Sequence, residues 1–341
     1  MKFNKDTKIG EILQVAPEKA EILIDCGMHC IGCPASQMET LEEACEVHGI
    51  DVEEVIEKLN IRETEEELKN NITVSAEKNT QVIKIEVTKM ISTREATERY
   101  SKVGVVKGNL PTLKMLVLGI IAGFFISIAG TGAATASCSL ENTAIARLIN
   151  ACIFPAGLAM VVLNGSELFT GNNLMIISVL EKKLSVAKML KNWVVVYIGS
   201  FIGSVVFTFL CTYGHVYTLF NGQLATNLLS TAVSKCNISF TDAIIKGIFC
   251  NILVCVAVFM TFMAESAASK IICLFFPIIV FVICAFEHSV ANMSYISGGL
   301  FINQMYGNYG LDVTGLSWWN FIVKNLLPVT IGNIIGGVGI G

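Results

Sequence analysis

Apolar residues dominate the chain from about residue 111 onward, in runs long enough to cross a bilayer. A spanning helix needs about 20 mostly apolar residues. Six stretches qualify, near 114–137, 143–165, 192–213, 242–264, 270–286 and 317–341. Shorter apolar pieces at about 173–180 and 293–303 follow the second and fifth stretches, and neither can span alone. The pattern predicts an all-α membrane body of six helices, with the second and fifth broken by polar segments at 165–173 and 287–292. Non-helical backbone at membrane depth is tolerated only where it is buried in protein or lines a cavity. The two breaks therefore mark the candidate site.

The second break opens with Glu287-His288 directly after an apolar run. Ionisable residues placed there are rare, face a polar interior and mark transport routes. An ordinary surface loop is the rival reading, and the return to apolar sequence after Met293 weighs against it. An internal repeat supports a built pathway. Residues 191–204 align without gaps with 324–337, and seven of the fourteen positions are identical, beginning with Lys191-Asn192 and Lys324-Asn325. Each half then holds three spans, so the halves sit in opposite orientations. Inverted repeats with one broken helix each are a transport architecture. Within the repeat, Gly199/Gly203 and Gly332/Gly336 have the small-xxx-small spacing of close helix packing.

Composition sharpens this picture. The 341 residues are 53% hydrophobic and only 15% charged, with a mean hydropathy of +0.63. Most of the charge lies in residues 1–110, so the net charge of −4 averages two unlike parts. The start, Met1 to Leu13, lacks the unbroken apolar core of a signal peptide. Lysines at 182, 183 and 188 and the basic stretch 94–114 are expected in the cytoplasm. The 304–316 loop has no Lys or Arg and is expected outside. Both termini are then cytoplasmic, in the inner membrane.

The segments Glu167-Leu168-Phe169-Thr170-Gly171-Asn172, 286–293 (Phe-Glu-His-Ser-Val-Ala-Asn-Met) and 325–337 resemble the formate/nitrite transporter family across about 90–341. The resemblance implies a homopentamer in the lipid bilayer with one aquaporin-like pore per protomer, passing small monovalent weak-acid anions. It implies Thr170 and His288 as the polar centre and Phe154, Leu158 and Phe281 as apolar constrictions. Asn251, Val254 and Asn333 are implied as further lining, and Lys235 as a vestibule lysine. Read alone, Lys235 is a solvated loop lysine.

The residue types suit that role. A bare anion crossing apolar rings loses tens of kcal/mol of hydration in the idealised limit, of order 20 or more, and a weak acid avoids this by crossing protonated. His288, with an ordinary imidazole pKa near about 6.5, is the pore group able to donate a proton or a hydrogen bond, with Glu287 fixing its tautomer or forming a structural bridge.

The front segment has its own chemistry. Short helices are expected at 9–13, 18–26 and 39–47, around Cys26-Gly27-Met28-His29-Cys30-Ile31-Gly32-Cys33-Pro34, with Cys45 beyond. This resembles a small redox-disulfide module associated with hybrid-cluster proteins, over about residues 3–60. A Cys-x-x-Cys at a helix start cycles between dithiol and disulfide in a reducing compartment, which implies a thiol-redox partner. Metal or iron–sulfur binding by Cys26, Cys30, Cys33 or Cys45 with His29 or His48, and inert thiols, stay open. Residues 61–110 are expected as a linker with a hairpin around 77–79 and a surface helix near 95–100, leading into a channel body over 111–341. The favoured reading is an anion channel that is not an enzyme, has no resident cofactor in its membrane body and takes no nucleic acid. A neutral-solute pore and a membrane-anchored thiol protein are the alternatives.

Overall fold

A computed structural model describes residues 2–28, 36–60 and 91–339. It separates into two compact units, Met1–Lys89 and Met90–Gly341. Every element among the described residues is a helix. The only β-type pairing among them is a single antiparallel bridge between Lys8 and Thr40. The hairpin expected around 77–79 lies outside the described residues.

In the front unit, helices α1 (Ile9–Val15), α2 (Ala20–Asp25), α3 (Leu41–His48) and α4 (Val52–Asn60) close over a small core. Ile9, Ile12, Leu23, Leu41, Val55 and Leu59 fill it. Local signals set the third helix. Thr40 and Glu43 form a reciprocal capping box, and Gly49 ends the helix in the left-handed conformation at φ 68°. Three helices were expected, and α4 was missed. Its Val52, Val55, Ile56 and Leu59 spacing is that of an amphipathic helix.

In the larger unit, α5 (Thr93–Gly108) precedes α6 (Thr112–Ser137), α7 (Thr143–Leu163), α8 (Phe169–Leu180), α9 (Val186–Tyr213), α10 (Gln223–Cys236), α11 (Phe240–Thr261), α12 (Ala267–Ile283), α13 (Ser289–Tyr306) and α14 (Trp318–Gly339). Helices α6, α7, α9, α11 and α14 are long and apolar enough to cross a membrane. At 17 residues, α12 is shorter. The chain breaks after Leu163 and again after Ile283, as the polar segments predicted. Each break turns on a residue in the left-handed region, Gly165 (φ 66°) and Ala285 (φ 52°). Pro155 interrupts α7, because it has no N–H to donate into the helix, and Phe154 sits at that joint. Helix α5 is longer than the surface helix expected near 95–100 and packs one face inward: Ala96, Tyr100, Ser101, Gly104 and Gly108 are buried, while Glu95, Glu98, Arg99 and Lys102 are exposed. Tyr100 donates to the Gly171 carbonyl at 3.2 Å and packs on Phe262.

The repeat glycines do what their spacing predicted. A Cβ on Gly199 or Gly203 would run into the Leu116 or Ile120 carbonyl oxygen of α6. One on Gly332 or Gly336 would meet the Ile244 or Ile248 carbonyl oxygen of α11. Backbone approaches backbone at all four, so no side chain can yield. In Gly203→Ala we expect a loss of about 1–3 kcal/mol or more from overpacking, read as a lower melting temperature in detergent. Gly132→Ala is the control. It meets only Ile153, at 4.0 Å, and should gain about 0.5–1 kcal/mol from lost chain entropy.

Candidate functional site

The site is assembled where two helices begin inside the protein. Thr170 lies in the first turn of α8, and His288 is the N-cap of α13. The Thr170 hydroxyl and His288 Nε2 are 2.9 Å apart, and both residues are buried. His288 Nδ1 accepts the Ala291 backbone N–H at 3.1 Å. That bond requires a lone pair on Nδ1, so the neutral ring carries its proton on Nε2 and donates it to Thr170. The Thr170 hydroxyl proton is then free to point elsewhere. The Glu287 carboxylate does not fix the tautomer; the helix start does.

Aromatic rings close over this pair. Phe281 stacks on the His288 ring at 6.0 Å, and Phe154 meets Phe281 edge-on at 5.6 Å. A cavity of about 380 Å³ reaches Phe154, Phe281, His288 and Lys235 from one side. One of about 460 Å³ reaches Leu158, Glu167, Asn172 and Lys107 from the other. Thr170, His288, Phe281 and Phe154 therefore lie together, with Leu158 in the lining of the larger cavity.

Each cavity is lined in part by a four-residue cluster, and the two clusters share one design. In one, Lys107 Nζ lies 3.0 Å from Glu167 Oε1 and donates to Asn172 Oδ1 at 2.8 Å. Asn172 Nδ2 donates to Glu167 Oε2 (2.6 Å) and Asn192 Oδ1 (2.8 Å), and Asn192 donates to the Lys107 carbonyl at 3.3 Å. In the other, Lys235 Nζ reaches both Glu287 oxygens at 3.0 Å. Asn292 Nδ2 donates to Glu287 Oε2 (2.6 Å) and Asn325 Oδ1 (2.8 Å), and Asn325 donates to the Lys235 carbonyl at 2.9 Å. The backbone follows suit. Glu167 N donates to the Leu118 carbonyl and Glu287 N to the Lys246 carbonyl, both at 3.3 Å. The clusters differ in detail: Lys235 bonds both oxygens of its Glu, whereas Lys107 faces Glu167 Oε1 and bonds Asn172 Oδ1, and among the described residues Asn292 Oδ1 has no partner. A π-helical turn over Phe321–Leu326 carries Asn325 into its cluster.

Sequence reasoning found Glu287 and Lys235 but missed Lys107, Glu167, Asn172, Asn192, Asn292 and Asn325 as members. The signal was present in part, since each Asn follows its Glu by five residues and the shared Lys-Asn start of the repeat supplies the second Asn. Asn251 and Asn333 tie the surrounding helices together, and among the described residues the buried Asn251 Oδ1 has no partner. Asn251 donates to Asn173 Oδ1 and the Asn333 carbonyl, each at 2.7 Å. Asn333 donates to the Gly247 and Glu287 carbonyls and accepts Ser289 N–H at 3.0 Å. Val254 is buried in the same core.

In the front unit, Cys26 is half-buried, Cys45 is buried, and both are free thiols. Burial, with Cys26 adjacent, pushes the Cys45 thiol up, which makes it a poor nucleophile at neutral pH. Cys30, Cys33 and His29 lie outside the described residues. Among the described residues no group of three or more His, Cys, Asp or Glu side chains is placed to hold a metal ion.

Comparison with known proteins places both units. The pattern of the formate/nitrite transporter family matches residues 94–341, and a domain of unknown function, DUF1858, matches 3–56. The formate channel FocA of Escherichia coli (strain K12) is 36% identical over 244 residues, which cover 69% of this chain and 86% of that protein. A probable formate transporter of Methanothermobacter thermautotrophicus is 31% identical over 265 residues, 72% of this chain and 92% of its own. Among solved structures, a pentameric formate channel with formate bound superposes with a TM-score of 0.59 at 34% identity, over 66% of this chain and 92% of that one. An ion channel of the same family gives 0.62 at 24% identity, over 72% and 94%, a likeness of fold. With the family pattern spanning the whole membrane unit, the chain belongs to the formate/nitrite transporter family.

Proposed function

We propose that the membrane unit is a channel for small monovalent weak-acid anions, with formate, nitrite and hydrosulfide as the candidate substrates. In this reading six spans form two halves of opposite orientation, five protomers assemble in the inner membrane, and both termini are cytoplasmic. The Lys107 vestibule then faces inward, beside the basic 182–188 stretch, where Lys188 bonds Asn109 at 2.6 Å. The Lys235 vestibule faces outward, beside the 304–316 loop, where Asn237 bonds the Thr314 carbonyl at 2.9 Å.

The observation that carries this reading is the buried Thr170–His288 pair at the meeting of two helix starts. The positive dipole ends of the two helix starts favour negative charge. The Thr170 hydroxyl adds a donor, aimed by the His288 bond behind it. Phe154, Leu158 and Phe281 exclude water from this point, so an anion arriving there lacks its hydration. A weak acid that takes up a proton from the vestibule crosses neutral and gives the proton up beyond the rings. With Nδ1 occupied by Ala291 N–H, His288 serves as a fixed hydrogen-bond donor rather than as the proton source. The front unit, with Cys26 and Cys45 in one core, is an accessory thiol module on which this reading does not depend.

The test is uptake by proteoliposomes of formate, nitrite, hydrosulfide and chloride between about pH 5 and 8. Weak-acid flux should rise as the pH falls, since the neutral acid is then more abundant, and chloride should be excluded. Equal chloride flux, independent of pH, would reject the weak-acid mechanism. Passage of uncharged solutes at similar rates would favour the neutral pore instead.

A further inference from the structure

We propose that the electric potential drawing anions into the vestibules comes from Lys114 and Lys270 on the Lys107 side and from Arg147 on the Lys235 side, not from the two buried lysines. The inference rests on the reading of the membrane unit as an anion channel and assigns it recruiting residues outside the central site.

Charge accounting within each cavity leads to this assignment. Four cations line the larger one: Arg99, Lys107, Lys114 and Lys270. Lys107 is neutralised by Glu167 at 3.0 Å. Arg99 is held by Glu95 at 2.9 Å and lies 3.9 Å from Glu265. Among the described residues, Lys114 and Lys270 have no carboxylate within ion-pair distance. In the smaller cavity Lys235 is neutralised by both oxygens of Glu287. Arg147, also in its lining, donates to the Ile283 carbonyl at 3.4 Å, a bond that orients the guanidinium and leaves its charge. A close opposite pair is felt from afar only as a dipole. An unpaired cation sets the field of a low-dielectric cleft out to a Debye length.

The helix positions supply an independent argument. Lys114 is in the first turn of α6 and Lys270 in the opening turns of α12, and neither helix has an acidic residue in its first turn. Cations are misplaced at helix N-termini, where the dipole already presents positive charge. The arrangement costs helix stability and adds two lysines to two positive helix ends at one cavity mouth. It also makes the two mouths unequal, with two unpaired cations against one.

The measurement is the initial rate of labelled formate uptake into vesicles of zwitterionic lipid, at about 10 mM and about 500 mM salt, for the full chain and Lys114→Gln/Lys270→Gln. At low salt and low formate the double variant should be about tenfold slower, with an unchanged maximal rate. The difference should vanish at high salt, and Lys114→Arg/Lys270→Arg should behave as wild type. Among the described residues neither lysine side chain makes a bond, and pentamer elution on size exclusion verifies assembly. The single variant Lys114→Gln, with an intermediate loss, provides a second reading. Wild-type rates in the double variant would overturn the proposal and leave the lysines as headgroup anchors. A loss that is equal at both salts, or that Arg does not rescue, would also overturn it. If the wild-type protein moves no formate at either salt, the channel reading itself fails.

Discussion

Glu287→Leu should be the most destabilising single replacement in the membrane unit, at about 3–5 kcal/mol. Lys235 then loses both carboxylate oxygens at once, and its side chain is only 16% exposed. What remains near its ammonium is the Tyr295 ring, 5.7 Å away, which is worth about 0.5–2 kcal/mol. Asn292 keeps one of its two acceptors, Asn325. The melting temperature of the detergent-solubilised protein should fall by about 6–20 °C if the loss scales as in other domains. In Lys235→Met/Glu287→Leu most of that loss should return, because an apolar pair of similar volume is often neutral against a buried ion pair. The double-mutant cycle isolates the coupling. An exposed pair gives the contrast. Lys5 and Glu42 in the front unit are half exposed, and breaking that pair should change stability by no more than about 1 kcal/mol. A Glu287→Leu protein as stable as wild type would show that Lys235 finds solvent and that the cluster is not a clamp.

Much of this architecture was legible because membrane helices announce themselves. Long apolar runs gave the helices to within a few residues, and the two polar interruptions gave the breaks, since nothing else in the body places Glu-His or Ser-Glu between apolar stretches. The glycine pairs were legible too, because a four-residue spacing on one helix face implies close approach without knowledge of the partner. The full length of α5 and its packed face were harder to see, for the opposite reason. Its sequence is polar, and its buried face consists of Ala96, Ser101, Gly104 and Gly108 around a single Tyr100. Small residues pack without producing an apolar pattern. Lys107 was invisible for the same cause: it sits on that polar helix, and only the fold brings it to Glu167.

The recurring cluster also changes what Glu287 and Lys235 mean. From the sequence, Glu287 either fixed the His288 tautomer or formed a structural bridge, and Lys235 was a vestibule charge with no named partner. In the fold they belong to each other, and the same bonds recur around Lys107 and Glu167. A charged pair held by two asparagines is a rigid neutral unit, placed where each break begins. Its evident work is to hold α8 and α13 so that their first turns meet at Thr170 and His288. This separates the function of the helix starts from that of the rim cations and lets each be tested without disturbing the other.

At the centre, Thr170→Val and His288→Asn should each reduce anion flux by about 10- to 100-fold with assembly intact. Valine keeps the shape of threonine and deletes the hydroxyl, the donor left free once His288 Nε2 has used the oxygen as acceptor. A hydrogen bond to a charged or strongly polar group is worth about 1.5–3 kcal/mol, and tenfold in rate corresponds to about 1.4 kcal/mol. Asparagine at 288 still accepts the Ala291 N–H as an N-cap but is too short to reach Thr170, so it removes the aiming bond and leaves the helix start. His288→Ala removes both. It should match His288→Asn in flux and lose about 1 kcal/mol more in stability, the usual worth of an N-cap. Thr170→Ser keeps the hydroxyl and should retain most of the flux. Radiolabelled formate uptake, with melting curves on the same preparations, reads all four variants. Flux in Thr170→Val and His288→Asn equal to wild type would leave the buried pair as a structural bridge between two helix starts and move the selective step to the aromatic rings. Losses in flux without losses in stability, repaired by serine and not by valine, would locate it at the Thr170 hydroxyl.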